Sequence, residues 1–194
     1  PECTWEVDDP KGVAVLIGDS NAGRFSEAFI GAVNELGMNA TVAVLPGCPF
    51  VDLVVVNSGQ PDVECRRFVT ESMKSLRENP PDLVVLTPSE GKVEAADFQL
   101  ELAAEEVRFS TPNDKASAWG RGMQETITQL QSAGVNVVVV QPIPKLSDRL
   151  WDHRNCAVAT IIVTPSSCGT STSLTEANEE RARTMAANSA AAAA

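Results

Sequence analysis

Val13-Ala14-Val15-Leu16-Ile17-Gly18-Asp19-Ser20-Asn21-Ala22-Gly23-Arg24-Phe25 reads as a strand turning directly into a helix. Val13 to Ile17 is a short apolar run of the kind that forms a strand buried in a parallel sheet. Gly18 breaks it with a tight turn. A helical pattern follows, with Phe25, Ala28, Phe29, Ala32, Val33 and Leu36 on one face. Ser20 falls where the free N–H groups and the positive dipole end of that helix converge. A hydroxyl there can attack a carbonyl, and the negative charge that develops meets the same N–H groups. Asp, Ser and Asn are also the preferred helix N-caps, so the turn equally fits capping alone. Gly-Asp-Ser-Asn-Ala comes close to the nucleophile elbow Gly-x-Ser-x-Gly, with Ala22 in the last place. An α/β-hydrolase elbow follows several strands, however, whereas Ser20 closes the first strand visible here.

The chain of 194 residues suits one domain with a sizeable core. A formal charge of −11 disfavours nucleic acid and anionic membrane as partners. No apolar run approaches the ~20 residues needed to span a bilayer. The sequence opens at Pro1 without a basic or signal-like segment, so any export signal is expected upstream. Its five cysteines form no C-x-x-C pair and no histidine cluster accompanies them, so neither a metal nor a cofactor is expected. They fall instead as two local pairs, Cys48/Cys65 and Cys156/Cys168, each spanning a loop rich in Pro, Asp, Ser or Thr. That arrangement predicts two disulfides and an oxidising, extracytoplasmic setting. Cys3 falls outside these pairs, and its partner is expected beyond the segment in hand.

Residues 1–12, acidic and carrying Pro1 and Pro10, read as a linker entering a domain that occupies 13–194. Further strands are expected at 39–45, 82–86 and 135–141, and helices at 62–78 and 116–133, the latter closed by Gly134. Residues 50–59 fit either a short strand or a loop. The acidic stretch 92–112 reads as an insertion with at least one helical turn. A long loop, 145–172, contains the second cysteine pair and an edge strand at 159–163. A last helix starts at Ser173 or Thr175 and runs to about Asn188. The alternation of strand and helix predicts a doubly wound α/β fold, a mainly parallel sheet flanked by helices. Ligands bind such sheets at the carboxyl ends of the strands, where Ser20, Gly47, residues 87–90 and Gln141 all fall.

At Gly18-Asp19-Ser20 the chain resembles the SGNH/GDSL hydrolase superfamily. Leu45-Pro46-Gly47-Cys48-Pro49, Asp82-Leu83-Val84-Val85-Leu86, a helix bearing Trp119 and Val137-Val138-Val139-Val140-Gln141-Pro142 follow in order. Together they resemble the extracytoplasmic SGNH domain fused to the membrane domain of acyltransferase-three proteins. The resemblance implies a three-layer, flavodoxin-like fold that here lacks its last strand or loop. It makes Ser20 the nucleophile and gives the oxyanion to the N–H groups of Ser20 and Gly47. Gly18 and Asp19 would support the turn. The family draws a third donor, an asparagine side chain, from the loop after the next strand. That loop reads Thr87-Pro88-Ser89-Glu90 and has none, which leaves the Asn21 amide as an alternative.

A serine needs a base within reach and a group to orient that base. The family takes both from an Asp-x-x-His motif near its C-terminus, and none occurs in these residues. His153 is the chain's single histidine and the one internal candidate, in a loop where the resemblance places no catalytic group. The base is therefore expected beyond residue 194. The resemblance implies transfer of an acyl group, delivered by a fused membrane domain, to a glycan or glycolipid of the cell envelope, or to water. The missing Asp-x-x-His and asparagine suit a second reading, a catalytically inert glycan-binding or scaffold module.

Overall fold

The computed structural model describes residues 3–89, 91–102, 105, 107–143, 162, 174–179 and 181–194. Its main sheet contains β1 (Thr4–Trp5), β2 (Val13–Gly18), β3 (Asn39–Val44), β6 (Leu83–Thr87) and β9 (Asn136–Val139). Their spatial order is β1-β3-β2-β6-β9. β3, β2, β6 and β9 run parallel, and β1 pairs antiparallel with the outer edge of β3. The stretch read as a linker thus contributes an edge strand. The alternation along each strand sorts the side chains to two faces. Ala14 of β2 and Ala40 of β3 pack with Val33 of α1 (Ser20–Glu35) on one face. Val15 and Ile17 of β2 join Val84 and Leu86 of β6 on the other, beneath α2 (Val63–Glu78) and α4 (Pro112–Ser132). Helices on both faces of a mainly parallel sheet are the doubly wound architecture expected from the sequence.

A second, antiparallel sheet was not anticipated. It is made of β4 (Leu53–Asn57), β5 (Gln60–Pro61), β7 (Phe98–Leu102) and β8 (Arg108–Phe109), in the order β5-β4-β7-β8. The ambiguous segment 50–59 therefore contains a strand, β4. The acidic stretch 92–112, read as an insertion, supplies α3 (Gly91–Glu94) and two strands. Its period-2 signal is present in Phe98-Gln99-Leu100-Glu101-Leu102, where acidic and polar residues hide the alternation. Leu100 is buried, and Leu53 and Val55 of β4 are buried opposite Leu102 and Leu100. The sheet packs into the main core beside Trp119 and Met123.

Two helix boundaries also move. α4 begins at Pro112, not at 116, because Thr111 caps it: the Thr111 hydroxyl accepts from the Asp114 N–H at 3.2 Å, and Pro112 fills the first helical place. This draws Lys115 into the helix and buries it completely. Its Nζ donates to the carbonyls of Ala95 at 2.6 Å and Phe98 at 3.2 Å, tying α4 to the turn between α3 and β7. Burial lowers the Lys115 pKa, against the opposing pull of Glu94 and Asp97. The single last helix expected from 173 or 175 is two helices, α5 (Leu174–Glu179) and α6 (Ala182–Ala193). Trp119 on α4 donates its indole N–H to Asn188 on α6 at 2.9 Å, anchoring α6 to the core.

Cys48 and Cys65 are bonded, joining the loop after β3 to the first turn of α2. Cys156, Cys168 and the strand expected at 159–163 lie outside the described residues. The Cys48–Cys65 bond closes a segment with a sequence separation of 17. A loop of about that length is worth roughly 3 kcal/mol in the chain-entropy account. Replacing both cysteines by serine should therefore lower the unfolding free energy by about 3 kcal/mol, read as a lower urea midpoint with a slope equal to or steeper than wild type, since the released unfolded chain exposes more surface.

Candidate active site

Three loops leave the main sheet side by side. Gly18 ends β2 in register with Val44 of β3 on one side and Thr87 of β6 on the other. The four parallel strands run β3-β2-β6-β9, so the sequence order reverses direction around β2 and opens a crevice between the carboxyl ends of β2 and β6. Only glycine suits position 18. Its φ is +156°, and a Cβ there would stand 3.1 Å from Thr87 Oγ1 and 3.2 Å from the Thr87 carbonyl.

Asp19 follows, 1% exposed, and its carboxylate does two jobs. Oδ1 accepts from the Asn21 N–H at 2.8 Å, capping α1. Oδ2 accepts from the Ser89 N–H at 2.8 Å, docking the loop after β6 against the start of α1. Nearby, the Lys92 Nζ sits 3.4 Å from the centre of the Phe98 ring. Burial lowers the Lys92 pKa, opposed by the charges of Asp62, Asp97 and Asp19.

Ser20 is the first residue of α1 and is exposed, so its hydroxyl stands in solvent at the positive end of the helix. Gly47 is exposed on the neighbouring loop, with φ +77°. It occupies the third place of a turn in which the Cys48 N–H donates to the Leu45 carbonyl at 3.0 Å and Pro46 precedes it. Nothing lies within 4 Å of a Cβ built on Gly47, so backbone conformation and not space selects glycine here. The turn is held at both ends. Leu45 N–H donates to the Gly18 carbonyl at 3.1 Å, and Cys48 is bonded to Cys65, whose N–H is received by the Asp62 cap at 2.9 Å.

Asn21 is 5% exposed and its N–H is already taken by Asp19. His153, with the loop around it, lies outside the described residues. Sequence reasoning passed over two groups at this end of the sheet. The Ser89 backbone reaches Asp19 across 70 positions, which no local pattern signals. The Thr87 hydroxyl is buried and has no hydrogen-bond partner among the described residues. Two grooves lie elsewhere. One of about 670 Å³ between α2 and α4 is lined by Asp52, Arg66, Met73 and Gln129. Another of about 620 Å³ lies between the sheet and the end of α2.

An exposed hydroxyl at a helix N-terminus, beside a separately anchored glycine turn, can attack an acyl carbon and receive the charge that results. The model of the SGNH domain fused to AT3 domains matches residues 1–194. The chain belongs to this family. No curated protein matches it. Among solved structures, the SGNH domain is similar to the periplasmic domain of a lipopolysaccharide acetyltransferase from Salmonella ser. Paratyphi A. The TM-score is 0.56 at 12% identity, over 94% of this chain and 66% of that one. At that identity the likeness is one of fold, and the SGNH domain spans 66% of the length of its neighbour. Among the described residues, no helix is long and apolar enough to cross a membrane.

The double role of Asp19 is open to direct measurement. Asp19→Asn replaces one acceptor oxygen by an NH2 group, setting donor against donor at either the Asn21 or the Ser89 N–H. Chemical denaturation should show a loss of about 1–3 kcal/mol, the cost of a buried hydrogen bond left unmade.

Proposed function

We propose that the chain is the acyl-transferring domain of an extracytoplasmic, membrane-tethered O-acyltransferase, and that Ser20 is its nucleophile. The observation that carries this reading is the exposed Ser20 at the start of α1, with the Gly47 turn leaving the adjacent strand at the same end. The Ser20 oxygen attacks the carbonyl of an acyl ester, giving its proton to a base. The N–H groups of Ser20 and Gly47 receive the oxyanion. Collapse expels the alcohol and leaves an acyl-Ser20 ester. A sugar hydroxyl of a cell-envelope glycan or glycolipid, or water, then takes the acyl group and regenerates the serine. Fusion of the family to AT3 domains supports a membrane domain as the source of the acyl group. The disulfide supports an oxidising compartment.

Asp19 is not the orienting acid of a triad in this mechanism, since both its oxygens already serve the backbone. The base comes from outside the described residues. A second reading, an inert module that binds glycan without turning it over, draws on the loop Thr87-Pro88-Ser89, which has no asparagine, and on the absence of Asp-x-x-His from the 194 residues.

One substitution separates the two. In the full-length protein, Ser20→Ala should reduce turnover of a chromogenic acetyl ester by at least about 1,000-fold, as loss of an activated nucleophile does. The exposed position of Ser20 should keep the thermal midpoint within a degree or two of wild type. Turnover unchanged by the substitution rejects the nucleophile. A wild-type protein that binds glycan but turns over no ester supports the inert module.

A further inference from the structure

The two N–H groups assigned to the oxyanion are held by bonds of different kinds. That of Ser20 is set by the start of α1, which Asp19 caps through the Asn21 N–H at 2.8 Å. That of Gly47 lies on a turn with little of its own to hold its tip. Pro46 and Gly47 are exposed, and nothing lies within 4 Å of a Cβ built on Gly47. Among Leu45, Pro46, Gly47, Cys48 and Pro49, only Cys48 has a side chain that can do more than pack. Phe50, three positions past Gly47, meets Phe68 of α2 edge-on with ring centres 6.2 Å apart.

Cys48, the residue after Gly47, is bonded to Cys65 in the first turn of α2, with Cα atoms 5.2 Å apart. That end of α2 is itself pinned. Asp62 caps it through the Cys65 N–H at 2.9 Å, and Arg66 pairs with Asp52 at 2.9 Å. The Asp52 N–H in turn donates to the Thr126 hydroxyl on α4 at 2.8 Å. The disulfide thus ties the Gly47 turn to two helices through a link one residue from the N–H in question. Cys48 is 1% exposed and Cys65 2%, which keeps thiolates in solvent away from both sulfurs once the domain is folded.

We propose that the Cys48–Cys65 bond positions the Gly47 N–H for the oxyanion, so that the domain reaches full activity only after oxidation. The inference rests on the reading of Ser20 as nucleophile and Gly47 as oxyanion donor, and it makes oxidation a control on that same site. The step is one thiol–disulfide exchange. The two thiols give up two protons and two electrons to a disulfide-bearing oxidant, whose own sulfur–sulfur bond becomes two thiols, and a bond forms between Cys48 Sγ and Cys65 Sγ. Without that link the turn keeps its backbone bonds at Leu45 but loses its tether to α2. A misplacement of about 1 Å at a reacting site costs as much as ~100-fold in rate. Cys48 and Cys65 are positioning residues and touch no reacting atom. Because both sulfurs are buried, the exchange belongs to folding and is not reversed in the folded domain.

The full-length double variant Cys48→Ala/Cys65→Ala tests it, assayed on a chromogenic acetyl ester well below the thermal midpoint of every protein compared. kcat should fall about 10- to 100-fold while KM stays within about twofold, because the lost interaction is made in the transition state. Leu76→Ala controls for stability alone. Leu76 is buried on α2 about 16 Å along the helix from Cys65, and its truncation weakens the core without reaching Gly47. Its kcat should stay within about twofold of wild type. Wild type produced with and without a disulfide-bearing oxidant should show kcat rising with the fraction of Cys48 bonded to Cys65, read by non-reducing peptide mapping. The double variant should be indifferent to the oxidant. Unchanged kcat in the double variant overturns the inference, as does an equal fall in Leu76→Ala or the same dependence on oxidant in the double variant. Ester turnover that is absent from wild type, or that survives Ser20→Ala, rejects instead the reaction assigned to Ser20 and with it the role of Gly47.

Discussion

A single buried carboxylate joins the turn that carries Ser20 to the loop after β6. Asp19 receives the Asn21 N–H with one oxygen and the Ser89 N–H with the other. The first contact starts α1 and so sets where Ser20 stands. The second docks the loop after β6 against the start of α1. A carboxylate is well suited to this, because both oxygens accept and neither needs a proton from its surroundings. Removal from water would be unfavourable for an isolated charge, and the two charge-assisted bonds offset that loss.

Around this junction the fold supplies rigid supports of different kinds. The Gly47 turn is fixed by a backbone bond to Gly18 and by the Cys48–Cys65 bond into α2. The segment after the Ser89 loop is fixed farther out, where buried Lys115 holds the carbonyls of Ala95 and Phe98. Arg183 on α6 reaches Glu94 at 2.8 Å and Asn113 at 2.9 Å, so three helices meet at the end of α3. Loops carry the chemistry, and covalent or charged contacts give those loops the stiffness that an element interior has by default.

The main sheet was legible because its four parallel strands are largely apolar runs rich in valine and alanine, a pattern that survives without knowledge of partners. Ser20 and Gly47 were legible for a related reason: a turn between strand and helix is a local event, and glycine and proline mark it. The second sheet was not, since Phe98–Leu102 buries one face only and presents Gln99 and Glu101 on the other, which reads as polar sequence. The helix expected at 116–133 begins one residue after Lys115, and nothing nearby in sequence announces the two carbonyls that receive that lysine. The Ser89–Asp19 bond spans 70 positions and has no local trace at all. Interactions of that kind belong to the topology and become visible only when the strands are set in order.

The carboxylate bridge also sorts the chain into parts whose length can change and parts whose length cannot. Between Thr87 and Ser89 an added or deleted residue shifts the register of the donor by more than a hydrogen bond tolerates, so that connector admits substitution but not insertion. The two-residue turn Ser58–Gly59 between β4 and β5 belongs to the second sheet and touches neither oxygen of Asp19. It can lengthen or accept a foreign segment while the geometry in front of Ser20 stays as it is.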